Sequence, residues 1–129
     1  MTSGSVQMEC KEPIAVVEQF VEFINQQNLE GLANLTAKRY RFVDVNGLVY
    51  KFSGPESVKR SWEEYFSAHP DYRIHVDQIL LGGCGVAVFG RTTGSHFPTE
   101  VEAGQTLLWV AQVKGGLVEE WRIYAGTED

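Results

Sequence analysis

The side chains best suited to chemistry lie at the ends of apolar runs. Asp44 stands between Val43 and Val45, at the close of the alternating stretch that begins at Tyr40, just before Asn46-Gly47. Glu120, Arg122 and Tyr124 alternate with Glu119, Trp121 and Ile123, and His96 lies in a polar stretch between two apolar runs. A carboxylate facing an apolar cavity is destabilised in its charged form, which strengthens it as a base. A guanidinium stabilises developing negative charge, and a phenol or imidazole returns a proton. Asp44, Arg122, Tyr124 and His96 are thus of the types that accept a proton, steady negative charge and return a proton. Each also has a structural reading. Asp44 can serve the Asn46-Gly47 turn, Glu120 and Arg122 can close an ion pair inside the domain, and His96 can stand solvated in its loop.

The element that positions most of them is a hairpin from Thr106 to Tyr124, turning at Gly115-Gly116, where both central residues need positive φ. With a regular ladder, Leu107, Trp109, Ala111 and Val113 share one face with Val118, Glu120, Arg122 and Tyr124. The other face carries Leu108 and Val110 with Trp121 and Ile123. Trp109 then faces Arg122, Ala111 faces Glu120, and Val110 faces Trp121.

Earlier in the chain, Ile14, Val17, Phe20, Val21 and Ile24 recur at helical spacing from Pro13 to about Gln27. Asn28 caps a second helix carrying Leu29, Leu32 and Leu35. A strand from Tyr40 to Val45 and a short return over 48–52 precede a helix starting at Pro55 and stopping before Pro70. That helix buries Val58, Trp62, Tyr65 and Phe66. After Pro70 the period falls to two, giving strands from Tyr72 to Leu81 and from Cys84 to Gly94, then a loop from Ser95 to Gly104. Helices followed by a meander of strands define an α+β domain with helices on one face of one sheet.

The bulk properties narrow the function. A chain of 129 residues, 43% hydrophobic and 22% charged, is one domain with a substantial core. Its net charge of −6 opposes a nucleic-acid role. No run reaches membrane-spanning length, and the start lacks a secretory pattern, so the expected location is cytoplasmic. Met1 to Glu12 reads as a mobile tail ahead of a single domain over 13–126. Cys10 and Cys84 read as two free thiols, and neither they nor the histidines show metal spacing.

Helix one, Asn28-Leu29-Glu30-Gly31-Leu32, Arg41-Phe42-Val43-Asp44-Val45-Asn46-Gly47, Gly54-Pro55-Glu56-Ser57-Val58, His69-Pro70-Asp71-Tyr72-Arg73-Ile74 and Gly116-Leu117-Val118-Glu119-Glu120-Trp121 together resemble the nuclear-transport-factor-2-like superfamily. More narrowly, they are similar to the SnoaL-like polyketide cyclases and ketosteroid isomerases, over about residues 13 to 125. The resemblance implies a cystatin-like cone, with three N-terminal helices packed on a strongly curved antiparallel sheet and an apolar pocket at its open end. It implies a pocket wall on the Trp109 face, and a homodimer through the outer face of Leu108, Val110, Trp121 and Ile123. Such an apolar patch is rarely left wet by a monomer.

Residue by residue, the resemblance carries over in part. The isomerase base lies in a Glu-Asp-Pro-x-Gly setting, which Val43-Asp44-Val45-Asn46-Gly47 matches with Val45 in place of proline. The isomerase oxyanion-hole positions align with Phe20 and Trp109, which cannot do that work. The cyclase aspartate after the final tryptophan is absent, since Trp121 is followed by Arg122, Ile123, Tyr124 and Ala125. An Asp–Arg–Asp cluster of the limonene-epoxide-hydrolase kind has its residue types, though not its positions, in Asp44, Arg122 and Glu120. The function the resemblance implies is a cofactor-independent proton transfer beside a carbonyl (isomerase, cyclase or dehydratase type) on an apolar, oxygenated small molecule, with Asp44 as base, Arg122 as charge stabiliser and Tyr124 or His96 as donor. Trp109, Glu120, Trp62, Tyr65, Phe20 and Tyr40 are its expected substrate contacts. The alternative is a non-catalytic ligand-binding or dimerisation module of the same fold.

Overall fold

The computed structural model describes residues 13–83 and 85–125; the expected tail over 1–12, Cys10 and Cys84 lie outside the described residues. Helix α1 (Pro13–Gln26) buries Val17, Phe20, Val21 and Ile24, the stripe that its spacing dictates. It ends where Gln27 takes a φ of 55°. Asn28 then opens α2 (Leu29–Leu35), its side chain accepting the Gly31 N–H at 2.9 Å. Strands β1 (Thr36–Val43) and β2 (Val49–Ser53) flank the Asn46-Gly47 turn, and Pro55 starts α3 (Pro55–Ala68). Strands β3 (Arg73–Gly82), β4 (Gly85–Thr93), β5 (Leu107–Lys114) and β6 (Leu117–Ala125) complete the sheet.

Two features depart from the sequence expectation. The stretch expected as loop over 95–104 contains a short helix, α4 (Thr99–Gly104), begun by the Pro98 carbonyl accepting the Val101 N–H. The described helices therefore number four, not three. The sheet order is β2-β1-β6-β5-β4-β3, and β1 pairs with β6 in parallel while every other neighbour is antiparallel. The sheet is thus mixed. The meander from β3 to β6 brings the last strand back beside β1, and no local pattern encodes the direction in which two such distant strands meet.

Helix α1 lies across β3, β4, β5 and β6, while α3 packs on α2 and the β1–β2 pair. At the sheet edge the Asn25 amide donates to the Ile74 carbonyl (3.0 Å) and accepts the Ile74 N–H (2.8 Å). One helical side chain so occupies backbone groups that an edge strand would otherwise leave open.

The decisive local feature is in the last hairpin. Gly115 and Gly116 have φ of 60° and 79°, as the turn requires. Val113 pairs with Val118, but the next pair is Gln112 with Glu120, so Glu119 is an extra residue opposite no partner of its own. This bulge shifts every following side chain to the other face. Trp109 pairs with Ile123 and Ala111 with Trp121, not with Arg122 and Glu120. Trp121 and Ile123 are 1% and 4% exposed in the core, while Tyr124 is 45% exposed. The expected outer-face set of Leu108, Val110, Trp121 and Ile123 is corrected: only Leu108 and Val110 lie outside, beside Arg122 and Tyr124.

Facing makes a stability prediction. Trp121→Ala should cost about 3–5 kcal/mol, the usual loss for emptying a core tryptophan site, whereas Tyr124→Ala should cost under about 1 kcal/mol. Urea unfolding of both variants checks this. Similar losses would contradict the bulged register.

Candidate functional site

Between the inner face of the sheet and α3 lies a cavity of about 90 Å³, lined by Tyr40, Phe42, Phe52, Ser61, Trp62, Tyr65, Tyr72, His96, Trp109, Trp121 and Ile123. Tyr40 and Phe42 come from alternate positions of β1, facing Phe52 across the β1–β2 pair. Trp62 and Tyr65 are one turn apart on α3, which places both on its sheet-facing side. Trp109 and Trp121 stack from β5 and β6, 6.2 Å between ring centroids. Four of the expected contacts, Trp109, Trp62, Tyr65 and Tyr40, line this space. Phe20 does not: it is fully buried behind the cavity, with its ring edge against Trp121 (5.0 Å) and Trp62 (6.3 Å).

At the mouth, the structure joins three residues that the sequence left apart. The His96 Nδ1 is 2.7 Å from the Tyr65 hydroxyl, and the His96 backbone N–H donates to the same oxygen at 3.3 Å. On its other side, the His96 Nε2 is 3.9 Å from the Asp44 carboxylate. Asp44 follows β1 on the side of Tyr40 and Phe42, and its Oδ1 also accepts the Val45 N–H at 2.7 Å. Asp44 is thus a turn carboxylate and a histidine partner at once, and it does not line the cavity itself. Burial pushes the Tyr65 phenol up to about 12; the His96 N–H pulls it down, and the charges of Asp44 and Glu102 push it up. Burial also raises the Tyr40 and Tyr72 phenols.

Glu102 on α4 fixes the loop carrying His96. Its carboxylate accepts the Ser95 N–H (2.8 Å), the Ser95 hydroxyl and the Thr92 hydroxyl (3.2 Å), while Ser95 Oγ accepts the Phe97 N–H at 3.1 Å. Burial pushes Glu102 up, but hydrogen bonds from Ser95, Thr92 and Gly94 outweigh it and hold the carboxyl below its ordinary range. Sequence reasoning missed this clamp, along with Phe42, Phe52, Tyr72 and Trp121 as pocket wall. Phe42 was legible, since it shares the alternation of Tyr40; Trp121 was hidden by the bulge.

Arg122, Glu120 and Tyr124 belong to the other face of the sheet, contrary to the regular-ladder expectation. Glu120 accepts the Arg122 Nε–H at 2.9 Å, and the Arg41 Nε–H and Nη2–H at 2.9 and 2.6 Å. Arg41 reaches it because β1 runs parallel to β6, with Arg41 opposite Glu120. Burial pushes Glu120 up, yet the two arginines outweigh burial and hold it below the ordinary carboxylate range. The hydrogen bond to Glu120 chiefly raises Arg122. Arg122 therefore cannot meet a ligand in the pocket. Among the described residues no group of three or more His, Cys, Asp or Glu side chains is placed to hold a metal ion, and no helix is long and apolar enough to cross a membrane.

Fold and site define a cystatin-like α+β domain with an aromatic pocket beside an acid–base cluster. The SnoaL-like domain model matches residues 17–121, and the chain belongs to the SnoaL-like family. Solved structures with the same fold include a cystatin-fold protein from Novosphingobium aromaticivorans (13% identity, 86% of this chain and 96% of that one, TM-score 0.70). A SnoaL-like protein of unknown function from Burkholderia thailandensis is similar at 17% identity, covering 86% and 92%, with TM-score 0.64. A third has a ketosteroid isomerase-like fold, comes from Catenulispora acidiphila and was solved in complex with trimethylamine (15%, 86% and 85%, 0.64). No curated protein matches the chain in sequence.

The lowered Glu120 carboxyl has a pH consequence. A carboxylate whose folded pKa lies below its unfolded one stabilises fully above the unfolded value, and the contribution disappears as pH falls through the folded value. The difference in urea midpoint between the wild type and Glu120→Gln should be largest near neutral pH and shrink as pH drops through and below the ordinary carboxylate range. A pH-independent difference would refute the ion-pair account.

Proposed function

We propose that the protein is a SnoaL-like acid–base enzyme that moves a proton on a small molecule held in the aromatic pocket, without a cofactor. The observation supporting this is the His96 ring placed between the Tyr65 phenol and the Asp44 carboxylate at the pocket mouth. At neutral pH the raised Tyr65 phenol stays protonated and is a hydrogen-bond donor. When a ligand carbonyl enters, the hydroxyl turns from His96 to that oxygen and leaves Nδ1 free to take the proton from the adjacent carbon. Asp44 stabilises the imidazolium so formed, and the donor to the carbonyl stabilises the enolate. Return of the proton at a different carbon gives isomerisation. The base is therefore His96 supported by Asp44, with Tyr65 in the place first given to Arg122 and Tyr124. The 3.9 Å separation is of the kind that tightens when a ligand closes the site.

In this reading the sheet wraps the helices as a strongly curved cone whose open end is the pocket mouth. Two copies pair across the outer sheet face around Leu108 and Val110. The alternative, a binding module without catalysis, is favoured by Glu120 and Arg122 being locked together away from the pocket, which leaves no cationic stabiliser among the described residues that line the cavity.

Incubating the protein in D2O with a panel of small enolisable ketones tests the enzyme reading, with deuterium incorporation beside the carbonyl followed by NMR. His96→Gln should slow exchange by about 10²-fold or more, the range for removing a general base. Asp44→Asn should slow it less, with circular dichroism unchanged in both. No exchange with any ketone, or wild-type rates in His96→Gln, would exclude this chemistry. For the pairing, sedimentation should show a dimer that Val110→Glu converts to monomer.

A further inference from the structure

The charge class of the pocket's ligand follows from what surrounds the cavity. Of its lining residues, Tyr40, Phe42, Phe52, Trp62, Tyr65, Tyr72, Trp109 and Trp121 are aromatic, leaving only Ser61, His96 and Ile123. Among the described residues no lysine or arginine lines it. Arg41 of β1 and Arg122 of β6 are on the far face of the sheet, held by Glu120. Lys59 of α3 points away to Glu30 and Glu56. The formal charges beside its mouth, among the described residues, are carboxylates. Asp44 stands beside His96 at the mouth with its side chain only 18% exposed, and Glu102 lies behind the His96 loop.

Aromatic faces carry the negative end of a quadrupole, so a walled-in set of rings with a carboxylate at its rim attracts cations and repels anions. The kind of cation is also constrained. A primary ammonium needs an acceptor for each N–H once water is stripped away, and the wall offers few. An alkylated ammonium has little hydration to lose. The cavity, about 90 Å³, has room for a small alkylated headgroup.

We infer that the aromatic pocket is a site for a small, weakly hydrated organic cation, a tertiary or quaternary alkylammonium, held over the Trp and Tyr faces with Asp44 as its counter-charge. This rests on the reading of the pocket as the ligand site, and names the ligand's charge and size class.

All three tryptophans of the chain, Trp62, Trp109 and Trp121, line the cavity, so intrinsic fluorescence reports occupancy directly. The test titrates the full chain with choline, its neutral isostere 3,3-dimethylbutan-1-ol, and the similarly shaped anion pivalate. Choline should change the fluorescence saturably and bind at least about tenfold more tightly than the alcohol, within the reach of cation–π contacts to a desolvated site, while pivalate should have no effect. Asp44→Asn should weaken choline severalfold and leave the alcohol unchanged. Phe42→Leu, which removes one ring without a charge change, should also weaken choline selectively. Equal or tighter binding of the alcohol, or no binding of choline up to its solubility limit, overturns the inference. The outcomes separate the two readings. Deuterium exchange on neutral ketones without cation preference removes this inference alone, and choline binding without any exchange removes the catalytic reading alone.

Discussion

The bulge at Glu119 governs both faces of the sheet. Without it, Arg122 would be aimed at Trp109 in the pocket wall, and Trp121 and Ile123 would face outward. Placing an unpaired guanidinium among stacked indoles costs several kcal/mol, and exposing a tryptophan and an isoleucine forfeits about 1.5–3 kcal/mol each. Against this, a bulge interrupts the ladder at one residue, a loss on the order of 1 kcal/mol. The bulged register therefore wins by a wide margin. The pocket owes its Trp109–Trp121 stack to it, and the outer face owes it the Arg41–Glu120–Arg122 cluster.

Charge is consequently sorted by face. Arg41 and Arg122 are gathered on the outside around one nearly buried carboxylate, Glu120, which satisfies a group that could not otherwise be buried. On the inside remain rings, a few hydroxyls, and the His96–Asp44 pair at the mouth. This arrangement is poor for stabilising a free anion, and the hydrogen-bond donor it offers at the mouth is the neutral Tyr65 phenol.

The mouth itself combines rigid and lightly held parts. Tyr65 is fixed on α3 by edge contacts with Trp62 and Tyr72. Asp44 is fixed by its turn. His96, however, rides on a loop secured mainly by the Glu102 clamp and by its stack on Phe97. Loops of this kind are where residues that must admit a ligand are commonly placed.

The sequence by itself determined three of the four described helices, the Asn28 cap, the two hairpin turns, the α+β class and four of the cavity's aromatic side chains, Tyr40, Trp62, Tyr65 and Trp109. Spacing of 3.6 or 2, a cap residue and a Gly-Gly turn act through neighbours in the chain, and neighbours are visible in sequence. It also placed Asp44 on the side of Tyr40 and Phe42, since alternation carries facing across one unbroken strand. What tertiary structure alone decided was which side chains meet. One extra residue at Glu119 inverted the facing of Trp121, Arg122 and Tyr124, because a bulge is selected by the packing of both faces and not by its own residue type. The parallel pairing of β1 with β6 delivered Arg41 to Glu120, and the fold of α4 swung His96 between Tyr65 and Asp44. Those contacts join residues 31 to 79 positions apart. No local pattern reaches so far, and only the packed chain brings them together.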